Sequence, residues 1–115
     1  LRNSVNSPFN IEVLDRDDAT IVRVVGELDV ASATLLDDAL KDAEATDASV
    51  IAIDLAGVSF IDSTGLRALL EAHARDTRHA RAGRLQITGG SPQARKLFRL
   101  AGVLDKLPFV GPSDE

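Results

Sequence analysis

The chain has 115 residues, enough for one small domain with one hydrophobic core, and its 44% of apolar residues are well spread, which excludes an intrinsically disordered chain. It has no cysteine, which excludes disulfides, thiolate nucleophiles and thiolate metal centres; with no long apolar run and no export-signal pattern at the start, no membrane span is expected and a cytoplasmic location is. The net charge of −5 is split: residues 1–62 hold four basic and 13 acidic side chains, residues 63–115 nine and five, and with no Tyr or Trp this argues against nucleic acid and for a protein partner.

In chain order, "LRNSVNSP" (1–8) reads as a loose tail ending in proline. "FNIEVL" and "ATIVRVVGE" are β-branched and roughly alternating, which predicts a hairpin closed by the acidic turn "DRDD". From about Ala31 to Thr46, Leu35, Leu36, Ala39, Leu40 and Ala43 recur at helical spacing, with Asp37, Asp38, Lys41, Asp42 and Glu44 opposite. "SVIAIDL" is too continuously apolar for a half-exposed edge and is placed in the middle of the sheet. A second helix, beginning in "VSFIDSTGLRALL" and running to about His79, carries Leu66, Leu69, Leu70 and His73 along one stripe. Arg67, Glu71, Arg75 and Arg78 take its wetter face. The series Arg75, Arg78, Arg81 and Arg84 reads as a solvated helix end and loop.

"GRLQITG" is a further strand, and Ser91 and Pro92 form a good N-cap and first-turn pair for a last helix from about Pro92 to Ala101. That helix buries Ala94, Leu97, Phe98 and Ala101, and Gly102 ends it. "VLDKLPFVG" supplies a short final strand or a packing segment. The order strand, strand, helix, strand, helix, strand, helix implies an α/β domain: one mixed sheet whose parallel neighbours are joined by helical crossovers. The domain is expected over residues 9–110, with tails at 1–8 and 111–115.

Two short motifs exceed what a plain strand-to-helix link needs. In "DSTG", Asp62 or Ser63 stands at a helix N-cap directly after an inner strand. Capping alone accounts for an Asp, a Ser and a Gly there. Yet Ser63 is also placed where free N–H groups and the helix dipole favour an added phosphate, after a carboxylate able to orient its hydroxyl, at the sheet edge where α/β folds present sites. The second motif is "GELD", Gly26 to Asp29. If its strand runs parallel to "VIAIDL" as a neighbour, Asp29 and Ser63 share one rim of the sheet.

Competing chemistries fit poorly. A serine hydrolase needs a base near Ser63, but His73 and His79 lie on the helix that Ser63 begins, about 15 Å or more along its axis, and no GxSxG motif is present. "DSTG" has two hydroxyl residues where the aspartic-protease loop has one. "DRDD" lacks the rest of an EF-hand, and "TGGSP" lacks the lysine of a phosphate loop.

The runs "GELDVASATLLDDAL", "VIAIDLAGVSFIDSTGLRALL" and "SPQARKLFRLAGVLDKL", in order over about residues 9–110, resemble a STAS domain of the anti-anti-sigma factor type. The resemblance implies a mixed sheet of four or five strands with helices on one side, a partner-switching role with no catalysis and no cofactor, and phosphorylation of Ser63 by a kinase that is also the anti-sigma factor. A serine phosphatase would reset the switch, and a monomer is expected. Asp29, Gly26, Asp62, Thr64 and Gly65 match the positions that frame the phosphorylation and docking surface. Arg67 departs from the pattern, since many relatives carry a small residue or glycine after "GL"; a guanidinium one turn from Ser63 is able to pair with its phosphate or with the partner. STAS-like domains also serve as non-switching scaffolds and as regulatory parts of transporters and sensory complexes, the alternative reading of the same fold.

Overall fold

The computed structural model describes residues 9–79, 81–90 and 92–110; the expected tails at 1–8 and 111–115 and the cap expected at Ser91 lie outside the described residues. Four strands form one sheet in the order β1-β2-β3-β4: β1 (Asn10–Arg16), β2 (Ala19–Leu28), β3 (Val50–Ile61) and β4 (Leu85–Thr88). The first pair is antiparallel, and β2–β3 and β3–β4 are parallel. The crossovers carry α1 (Val30–Glu44) and α2 (Ser63–Arg78), and α3 (Pro92–Leu100) follows β4.

The hairpin is tighter than "DRDD" suggests, because Arg16 already pairs with Ala19. Only Asp17 and Asp18 turn, and Asp17 takes φ 54, a left-handed conformation that Asp tolerates better than most residues. β3 is longer than "SVIAIDL", because β2 continues to Leu28 and offers ladder partners to the whole "AGVSFI" half. The final segment holds a 3-10 turn (Leu104–Lys106) and a single parallel bridge between Ile87 and Phe109, so the sheet has four strands with a fifth reduced to one bridge.

One face of the sheet makes the core. Val22, Val24 and Leu28 of β2 and Ile51, Ile53, Leu55, Val58 and Ile61 of β3 are buried together with Leu36 and Leu40 of α1, Leu69 and Ala72 of α2, and Ala94 and Phe98 of α3. Burying these side chains supplies the main stabilising term, at about 25 cal/mol per Å² of apolar area. The opposite face carries the row Glu12, Arg23 and Asp54, in which Arg23 bridges both carboxylates at 3.4 Å. The helices therefore pack on one side, as the alternation of β2 requires.

Four side chains fall elsewhere than their spacing predicts. Leu35 is 56% exposed, because α1 meets the sheet through Ala33, Leu36, Leu40 and Ala43, and a neighbouring residue is turned ~100° away. Ala101 is exposed because α3 ends at Leu100, leaving Ala94 and Phe98 as its inward pair. Arg75 is not on a wet face: it is half-buried between helices, its Nε donating to Glu44 Oε1 at 3.0 Å and its Nη1 lying 3.1 Å from Asp37. The hydrogen bond to Glu44 is the main reason that its pKa is raised above the ordinary arginine value. Arg84 is buried at 5% exposure rather than solvated. Its Nη1 donates to the carbonyls of Thr46 and Ala48, both at 3.0 Å, and its Nη2 to that of Glu44 at 2.8 Å, so it caps the C-terminal end of α1.

Candidate functional site

Both expected motifs close on one rim. β2 and β3 are parallel neighbours, Leu28 pairs with Ile61, and the N–H of Asp62 donates to the Leu28 carbonyl at 3.2 Å. Asp29 and Asp62, each next in sequence, stand side by side as the N-caps of α1 and α2. The rim thus presents two helix N-termini, whose partial positive charges are met by two carboxylates.

The two caps are built differently. Asp29 Oδ1 accepts from the N–H groups of Ala31 and Ser32, at 3.1 and 3.2 Å, while Ser32 Oγ accepts from the Asp29 N–H at 2.9 Å. The buried Ser32 hydroxyl also donates to the Glu27 carbonyl at 2.7 Å, which ties the cap to the end of β2. This is a capping box with serine in place of the usual Glu or Gln. Asp62 Oδ1 accepts from the Gly65 N–H at 2.9 Å. The carboxylate thus holds the first turn of α2 and is not bonded to the Ser63 hydroxyl, contrary to the orienting role its sequence position suggests.

Ser63 is the first residue of α2 and is exposed, and no hydrogen bond of its hydroxyl is found among the described residues. Thr64 is half-buried and lines an open groove between α1 and α2 with Ala33, Thr34, Asp37, Arg67, Ala68 and Glu71. Arg67 is exposed, one turn beyond Ser63.

The two glycines act from beneath the surface. Gly65 is buried, and a Cβ there would lie 2.6 Å from the Leu28 carbonyl oxygen, 2.8 Å from Leu28 Cγ and 2.9 Å from Ile61 Cγ1. The first turn of α2 is pressed against the end of β2 at a distance only glycine permits. Gly26 is also buried and takes φ 104, where L side chains are strained. It sits at one of two places where the β2–β3 register shifts, so it shapes the strand end that carries Asp29.

Three contributors escape the sequence reading. Ser32 was visible as the second half of a D-x-x-S spacing. Val30, 70% exposed, and Phe60, 50% exposed and paired with Glu27, put apolar surface beside the acidic caps. Their signal was an apolar residue within two positions of a cap, Val30 directly after Asp29 and Phe60 two before Asp62, outside the buried period.

The chain is similar in sequence and in fold to known proteins. The family model described as "STAS domain" matches residues 10–114. The chain is 33% identical over 98 residues, 84% of either chain, to the "Anti-sigma-B factor antagonist" of Listeria monocytogenes. Among solved structures it superposes on an anti-sigma factor antagonist from Mycobacterium paratuberculosis with a TM-score of 0.78 and 25% identity, covering 92% of this chain and 88% of the other. It also superposes on the Bacillus cell fate determinant SpoIIAA in the phosphorylated form, with a TM-score of 0.63 and 26% identity, covering 92% of each.

Proposed function

The chain belongs to the STAS-domain family, and on that premise we propose that it is an anti-sigma factor antagonist that works by partner switching at Ser63. The unmodified rim binds an anti-sigma factor that is also a serine kinase with ATPase activity, and the bound sigma factor is released. Phosphorylation of Ser63 ends that binding, and a serine phosphatase restores it. The chain itself is a monomeric binding module that uses no cofactor and catalyses no reaction; the kinase moves the phosphoryl group.

The observation that carries this reading is the exposed Ser63 hydroxyl at the first position of α2, on the rim shared by Asp29 and Asp62. Phosphorylation adds about −1.5 to −2 charges there at neutral pH. At an effective dielectric near 20, a unit charge ~5 Å from either carboxylate is repelled by roughly 3 kcal/mol. An interface that closes over that rim, confining the phosphate against these carboxylates and out of water, loses affinity by about two orders of magnitude. Exposed Val30 and Phe60 supply apolar anchors for the partner beside the acidic caps.

The test is intact-mass spectrometry with fragmentation after incubation with ATP and each histidine-kinase-like ATPase of the source organism. One added phosphate on Ser63, absent in Ser63→Ala, is expected. A phosphorylated protein that binds its kinase as tightly as the unmodified one would refute the switch.

A further inference from the structure

Arg67, like Arg16, Arg78, Lys96, Arg99 and Lys106, makes no ion pair among the described residues, and of these it is the one that follows Ser63 by four residues on α2. Arg23 bridges Glu12 and Asp54, Arg75 bridges Asp37 and Glu44, Arg81 faces Asp47, and Arg84 is committed to three carbonyls. Arg67 is exposed and makes no ion pair among the described residues, although it lines a groove with Glu71 and Asp37. Asp37 is already held by Lys41 at 3.0 Å and by Arg75 at 3.1 Å. Glu71 follows Arg67 by one turn, the less favourable order for a helical ion pair.

The favourable order is an anion four residues before a cation, and the residue four before Arg67 is Ser63. Side chains at that spacing stand about 5–6 Å apart at Cβ. The first turn of α2 is fixed in place, by the Asp62 bond to Gly65 and by the contact of Gly65 with β2, so the spacing is set by the fold.

We infer that Arg67 is the intramolecular counter-ion of a phosphate on Ser63, holding it against α2 by a charge-assisted, bidentate pair. This rests on the reading of Ser63 given above. The phosphate is opposed by Asp29 and Asp62 on the rim and drawn toward Arg67 on the helix, so it takes a fixed position over the first turn. The modified protein then excludes its partner by an anchored group as well as by charge, and the choice of arginine over glycine at this position sets how firmly that group is anchored.

The test uses the full chain with phosphoserine genetically encoded at position 63, so that no kinase is needed. Phosphorus NMR follows the second ionisation of the phosphate in the Arg67 protein and in Arg67→Gln and Arg67→Ala. A counter-ion favours the dianion, so the midpoint is expected to lie about 0.15–0.4 pH units lower with Arg67 than with either replacement. Equal midpoints in all three proteins would overturn the assignment. Whether a kinase modifies Ser63 is read separately by mass spectrometry, so either conclusion can fail without the other. Arg67 is exposed, and Arg67→Gln keeps much of its stem, so folding is not at stake.

Discussion

Gly65→Ala probes the seam on which the rim depends. The added methyl carbon would lie 2.6 Å from the Leu28 oxygen and 2.8 and 2.9 Å from two carbons of Leu28 and Ile61, where ordinary carbon contacts are about 3.5–4.0 Å. The Leu28 oxygen is backbone and already accepts from Asp62, so it has little freedom to yield. α2 must therefore back away from β2 by roughly 0.5–1 Å, and overpacking of this kind costs about 1–3 kcal/mol. Against this stands the better helix propensity of alanine, at most about 1 kcal/mol in a helix interior. The expected net loss is about 1–2 kcal/mol, equivalent to a melting temperature lower by about 4–8 °C per kcal/mol for a domain of this size. Urea unfolding with an unchanged slope would measure it, and amide NMR shifts confined to Asp29, Asp62 and Ser63 would show the helix moving. Weaker binding of the anti-sigma partner should accompany both. A variant as stable as the parent, with an unshifted rim, would show that the close approach of α2 to β2 constrains nothing.

Arg84→Met keeps the aliphatic stem but strips the donors from three carbonyls at the end of α1, with an expected loss of about 2–4 kcal/mol in urea unfolding; a loss under about 1 kcal/mol would contradict the capping role. Arg75→Ala should cost about 1–2 kcal/mol after allowing for the partial exposure of the cluster. The folded-state pKa of Arg75 is raised by its Glu44 bond, so its contribution is complete below the ordinary arginine range and is lost only as pH climbs through the folded value. The gap between Arg75→Ala and the parent should therefore be equal near pH 7 and near pH 9, and a gap that shrinks by pH 9 would be evidence against the ion pair. Ser32→Ala removes the returning half of the α1 capping box and the tie to Glu27, and about 1 kcal/mol of stability with it, measurable by thermal unfolding.

The elements were legible where the pattern is periodic and local. Leu36, Leu40 and Ala43 mark the inward stripe of α1, the alternation from Thr20 to Val24 marks β2, and the cap of α2 is narrowed to Asp62 or Ser63, of which the structure selects Asp62. What was illegible depends on partners distant in sequence. Nothing local distinguishes Arg84 from Arg78, since the carbonyls that recruit Arg84 lie 36 to 40 residues away. Arg75 is diverted in the same way by Asp37 and Glu44 of another helix. The extension of β3 through "AGVSFI" was hidden because its Ala-Gly start reads as a break, and only the continuing edge of β2 overrides it. At the rim, sequence brought Asp29, Asp62 and Ser63 together conditionally on parallel pairing. It misjudged what Asp62 holds, because a carboxylate beside a hydroxyl in sequence faces a backbone N–H three residues on in space.

The two register shifts between β2 and β3 amount to a length gauge. At the start of the ladder Ala19 faces Val50, and at its end Leu28 faces Ile61, so β3 spends two more residues than β2 on the same distance, one at each shift. Two is the number that leaves side-chain parity intact: Leu28 and Ile61 finish level and both turned into the core, with an aspartate following each. Removing a single residue from β3 would sink one cap below the other by about 3.3 Å and reverse the facing of every residue beyond the cut. Strand length on this side of the domain is therefore not free to drift in single steps, whereas the β1–β2 hairpin, far along the chain from the rim, has no such gauge to keep.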